Sequence, residues 1–173
     1  MGRYENNIRR NMEDLMNAVV MQAVEDYREA YLKLMRGEND QARKMLMKTE
    51  AFFQSEDFSC YTTVDGPRLL SRLRKEREEV EAMIRELQAC RKRLAADWQA
   101  FCLTDKQDPL LYEAIWNTGE KIRRIMQKLP RFAANRFNLS WRERNVLAVS
   151  TRLMKRFGKL PQKGAEDDSK GIS

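Results

Sequence analysis

Residues able to do covalent chemistry are few in this chain. It has three cysteines, Cys60, Cys90 and Cys102, and no histidine. A cysteine nucleophile needs a base beside it, and without histidine that base would have to be something less usual. The cysteines are odd in number, far apart and without C-x-x-C spacing. That pattern describes three thiols in a reducing compartment, not a disulfide or zinc set. Glu56, Asp57 and Asp65 could be taken for cation ligands, but helix caps account for them and no further ligand stands at a recognisable spacing. No Walker lysine loop, dinucleotide glycine pattern or histidine–carboxylate set occurs. The expectation is a non-enzymatic protein with no catalytic residue, no metal and no cofactor.

Cations are the other chemical resource. Net charge is +7, and residues 120–163 alone hold 13 Lys/Arg against 2 Asp/Glu, a net +11. Residues 1–67 are net −3. Such asymmetry reads as an electrostatic footprint for a polyanion or an acidic protein face. The plainer alternative is a solvated basic surface with no partner. The candidate binding residues are Arg123, Arg124, Lys128, Arg131, Arg136, Arg142 and Arg144. With Lys121, Arg152, Lys155 and Arg156 they surround Phe132, Phe137 and Trp141, and cations interleaved with aromatics suit a phosphate backbone with bases stacked alongside. The aromatics are expected mostly in the core and the arginines mostly at the interface. Arg142 and Arg144 fall in a first helical turn, where the dipole favours acids, so something other than helix stability would keep them.

Helices must position these groups. Gly and Pro are scarce, and 34% of residues are charged, which favours long helices over a β-rich fold. From Arg68 to Phe101 the rows Leu73, Val80, Leu87, Leu94, Phe101 and Leu70, Arg77, Ile84, Arg91, Trp98 give a 3-4 spacing, the pattern of a helix packed along a seam. The seam arginines, 77 and 91, either snorkel past a partner helix or mark a groove, and snorkelling is the commoner arrangement. Before this helix, periodicity predicts two helices over about 5–36 and 40–53, with Gly37 between them and Asn39 or Asp40 as cap. A helical turn starting at Ser55, Glu56 and Asp57 and an Asp65-Gly66-Pro67 turn follow. After it come a polar loop over 104–108, a helix opened by Asp108-Pro109 and ended at Pro130, and an irregular link over 131–139. A last helix opens on the capping box Ser140-x-x-Glu143 and closes at Gly158. Gly119, inside a helix, predicts either a large side chain such as Trp98 packed on it or a bend. The expected architecture is all-α: a helical bundle with an N-terminal hairpin module over 1–66, a long-helix and basic-helix module over 67–158, and a disordered tail over 159–173.

Phe52-Phe53-Gln54-Ser55-Glu56-Asp57-Phe58, then Tyr61-Thr62 and Asp65 to Arg74, resembles small proteins encoded by phages and integrative elements of Gram-positive anaerobes. The likeness spans about residues 16–75 and also takes in Val20, Gln22 to Val24, Asp26-Tyr27 and Ala30. It implies a mobile-element setting and no particular chemistry. Residues 139–147, L-S-W-R-E-R-N-V-L, resemble the opening helix of the LuxR-type helix-turn-helix, but no glycine turn or second recognition helix follows. A capped structural helix is preferred there. The functional expectation is therefore an accessory protein of a phage or other mobile element. It would bind a host nuclease or other nucleoprotein complex and inhibit a defence nuclease, as anti-CRISPR proteins do. A DNA- or RNA-binding transcriptional regulator and a helical dimeric scaffold are the alternatives. Direct contact with nucleic acid stays open, and no membrane partner is expected. A monomer is preferred to a homodimer, because the seam should be covered within the chain. No run of about 18 apolar residues and no hydrophobic leader are present, so the expected location is the cytoplasm.

Overall fold

The computed structural model describes residues 2–37, 39–104 and 108–157, with side chains between 10 and 156. The expected tail at 159–173, the closing glycine at 158 and the middle of the 104–108 loop lie outside the described residues. The fold is an all-α helical bundle. In chain order its helices are α1 (Gly2–Leu34), α2 (Asp40–Gln54), α3 (Phe58–Tyr61), α4 (Gly66–Leu103), α5 (Pro109–Lys128), α6 (Arg131–Ala134) and α7 (Trp141–Phe157). The first compact unit holds the described residues through Met83 together with Pro130–Arg136; the second holds Ile84–Leu129 and the described residues from Phe137 onward.

Local chemistry explains where the helices begin and end. The Asn39 side chain accepts from the Ala42 amide at 3.0 Å, so Asn39 and not Asp40 is the cap of α2. Asp65 Oδ1 accepts from the Arg68 amide at 2.8 Å and starts α4. Asp108 Oδ1 accepts from Leu110 and Leu111 and starts α5, with Pro109 at its head. Ser55 differs from expectation. Its amide and hydroxyl both donate to the Phe52 carbonyl, so it closes α2 and does not open α3. An orphan carbonyl at a helix end is the stronger demand there.

In the first unit, Phe52 lies 5.4 Å from Phe58 and 5.8 Å from Tyr61, centroid to centroid, and Phe53 and Phe58 are buried. The chain folds tightly over this cluster: a Cβ at Gly66 would stand 2.0 Å from the Phe53 carbonyl oxygen. Arg28 grips Glu76 through two bonds of 2.7 and 2.6 Å and lies 4.8 Å over the Phe132 ring. Tyr27 and Tyr31 are fully buried; the Tyr31 hydroxyl makes no hydrogen bond among the described residues, and the Tyr27 hydroxyl has the Arg77 guanidinium as its neighbour.

The seam row is buried throughout: Leu73, Val80, Leu87, Leu94 and Phe101 are all in the core. Burying each such side chain is worth about 1.5–3 kcal/mol. The seam arginines are neither simple snorkels nor groove markers. Arg77 pairs with Glu81 one turn on, at 2.7 Å, and Arg91 is a clamp within the second unit.

Candidate basic interface

The part of α4 from Ile84 onward, with α5 and α7, builds the second unit. Lys121 reaches Glu86 at 2.8 Å, the geometry of an antiparallel α4–α5 pair across a short loop. Helix α7 meets α5 at Gly119, where an added Cβ would lie 2.5 Å from Leu147 Cδ2. The side chain that fills this glycine is therefore Leu147 and not Trp98, which stacks near Phe101 at 5.9 Å. The missing Cβ lets the two helices approach; hence a glycine at a helical position that disfavours it.

Arg91 holds the start of α7. Its guanidinium donates to the carbonyls of Phe137 and Asn138 at 2.6 and 2.9 Å and pairs with Glu143 at 3.1 Å. Glu143 also completes the capping box, accepting from the Ser140 amide at 2.7 Å while Ser140 Oγ accepts from the Glu143 amide at 3.2 Å. One carboxylate thus serves a cap and an ion pair. This role of Arg91 was missed in the sequence; the available signal was a guanidinium on a buried row, which must find acceptors.

The seven candidate cations fall into two sets. Arg123, Arg124, Lys128, Arg142 and Arg144 belong to the second unit, and Arg131 and Arg136 to the first. Arg123 is half-buried and spent internally: it pairs with Glu120 and donates to Thr151 Oγ1 at 2.9 Å. Arg136 pairs with Glu29 at 3.5 Å, and its carbonyl accepts from Arg36. The side chains of Arg124, Lys128, Arg131, Arg142 and Arg144 are exposed and make no hydrogen bond or ion pair among the described residues. The expected irregular link contains a helical turn, α6, which sets Phe132 against Tyr31 at 6.5 Å.

The aromatics need a correction. Phe137 is buried and Phe132 half-buried, but Trp141 is 74% exposed. At the first position of α7 its ring points away from the packed row of Val146, Leu147 and Ser150. Counting from Trp141 at helical spacing also reaches Arg152 and Lys155, both exposed and unpaired among the described residues. Both belong to the basic set expected around these aromatics but not to the seven binding candidates, although the 3.6-residue period places them on the face of Trp141.

This arrangement offers long, fixed-charge donors on rigid helices, suited to phosphate or carboxylate groups. Among the described residues no three Cys, Asp or Glu side chains converge as a metal site, and no helix is long and apolar enough to cross a membrane. No protein-family model, curated protein or solved structure matches this chain.

Proposed function

We propose that this chain is a non-enzymatic accessory protein of a phage or related mobile element. It binds a nucleic-acid-handling complex through the basic surface of its second unit and blocks a host defence nuclease, in the manner of anti-CRISPR proteins. One observation carries the proposal: Arg124, Lys128, Arg142 and Arg144 are exposed with no side-chain partner among the described residues, within a segment, 120–163, that holds a net charge of +11. Exposed charges that no internal contact uses are available to steer and orient a partner. The phage-like segment around Phe52 to Arg74 supplies the biological setting.

The test is capture of the tagged chain from phage-host lysate, followed by a nuclease assay with the captured complex. Co-purification of a nuclease whose cleavage falls on adding the chain supports the proposal. A charge-reversed variant, with Arg124, Lys128, Arg142 and Arg144 all changed to Glu, should stay folded and lose the effect. Full inhibition by that variant would discard this surface.

A second reading, a nucleic-acid-binding regulator of the element, is favoured by exposed Trp141 standing beside Arg142 and Arg144. It predicts retardation of duplex DNA by the purified chain alone, with sequence preference that survives moderate salt.

A further inference from the structure

Helix α7 is amphipathic in an unusual way. Its inner row, Val146, Leu147, Ser150 and Met154, is buried, and its one acid, Glu143, is held inward by Arg91. Its outer row is Trp141, Arg144, Asn145, Ala148, Arg152 and Lys155, and all six are exposed. At 100° per residue these positions share one face, which runs about 21 Å at 1.5 Å per residue. That face carries no acidic residue. Its middle is small, Asn145 and Ala148, and its cations stand on either side.

We propose that this outer face is a nucleic-acid-reading surface that enters the major groove of duplex DNA. The inference deepens the second reading above and rests on direct contact between the basic unit and nucleic acid. Three features select this ligand. An α-helix with its side chains is about 10–12 Å across, and the major groove is about 12 Å wide. A small residue at the centre of the face lets a helix seat deeply, and a methyl such as that of Ala148 suits contact with a thymine methyl. Asn and Arg are the side chains that pair in bidentate fashion with adenine and guanine edges, and Asn145 and Arg152 lie within two turns of each other, on either side of Ala148. Arg144 and Lys155 then meet the phosphates that flank the groove. An acidic protein face would need the cations but gives no role to the small centre.

The experiment is fluorescence anisotropy of a labelled 30-base-pair duplex of random sequence, with the full chain, from about 50 to 200 mM salt. Wild type should bind, with a log–log salt slope near −0.9 per neutralised phosphate, so roughly −2 to −4 for the cations of this face. A148E places bulk and negative charge at the centre of an exposed face. It should leave the thermal midpoint unchanged and weaken binding at least about tenfold, the scale of one lost base contact. Duplexes selected from the random pool by wild type should show a preferred sequence. Arg152→Ala should relax that preference while retaining much of the non-specific binding. Absence of duplex binding, equal binding by A148E, or tighter binding to a single strand of the same length would each overturn the inference. The nuclease assay remains a separate readout: inhibition without duplex binding removes this inference and leaves the functional proposal standing.

Discussion

Three docking arginines of the first unit and the exposed arginines of α5 and α7 differ in what they hold. Arg28, Arg74 and Arg77 each hold a carboxylate at 2.5–2.7 Å, from Glu76, Glu50 and Glu81. The bond to Glu76 raises the Arg28 pKa against burial; burial lowers that of Arg77, but Glu81 and neighbouring Tyr27 leave it raised overall. On α5, Arg123 is engaged by Glu120 and Thr151 and Lys121 by Glu86, whereas the exposed side chains of Arg124, Arg142, Arg144 and Arg152 make no hydrogen bond or ion pair among the described residues. A paired cation is part of how its helices dock. An unpaired cation in a region of net +11 repels its neighbours and costs stability through the field, so it contributes nothing to the fold that explains its presence. The difference teaches where to look for a partner.

The largest effect expected from a single substitution lies in the first unit. Gly66→Ala drives a Cβ to 2.0 Å from the Phe53 carbonyl oxygen and 2.8 Å from Phe58 Cδ1. Backbone cannot yield as a side chain can, so a loss of about 3 kcal/mol or more is expected, read as a lowered denaturant midpoint. Gly119→Ala in the second unit meets only the flexible end of Leu147 at 2.5 Å. Alanine recovers about 1 kcal/mol of helix propensity there, so a clearly smaller loss is expected. Equal losses at the two glycines would show that α5 and α7 are as tightly fixed as the turn over the phenylalanine cluster.

Next in size is Arg91→Leu. It leaves two carbonyls and Glu143 without their donor, at roughly 2 kcal/mol after allowing for partial exposure. Amide exchange should accelerate first in the opening turn of α7. A variant as stable as wild type, with unchanged exchange, would mean that the apolar seam alone fixes that helix.

Much of the fold was legible because its signals are local or periodic. Asn39, Asp65, Asp108 and the Ser140–Glu143 box act on amides two or three residues away, and the buried row from Leu73 to Phe101 repeats every seven residues. What was not legible depends on partners distant in sequence. Leu147 over Gly119, Arg91 on the carbonyls of Phe137 and Asn138, and Arg28 over Phe132 join residues whose pairing no local rule encodes. The interface suffered from the same limit. Composition located the basic segment, but exposure separates Arg124 from Arg123 and turns Trp141 outward, and exposure follows from which faces pack.

A pH experiment sharpens the view of the first unit. Burial raises the Tyr31 phenol well above its ordinary value, and burial also raises Tyr27 against the pull of Arg77. The folded chain therefore keeps both protons where the unfolded chain releases them, above about pH 10. Stability conferred by these neutral phenols is complete below that pH and is lost as pH rises through and beyond it. Thermal midpoints should fall between about pH 9 and 11, and the slope should lessen in the double variant Tyr27→Phe and Tyr31→Phe. An identical slope in that variant would place the alkaline sensitivity elsewhere.

The smallest expected effect tests the comparison most directly. Arg28→Ala removes a two-pronged, part-buried bond to Glu76 and the contact over Phe132, so it should cost about 1 kcal/mol or somewhat more. Arg124→Ala removes a side chain that touches no acid and lies on the outside of α5. Substitutions at such sites stay within about 0.5 kcal/mol, and alanine is the better helix former. Relief of repulsion in the +11 segment pushes in the same direction, so Arg124→Ala should be neutral or slightly stabilising, more visibly at low salt, where screening is weak. Thermal melts of the two variants at about 10 mM and 150 mM salt would separate these contributions. A clear loss on Arg124→Ala at both salts would show that this arginine serves the fold after all, and an unpaired cation would then no longer mark an interface.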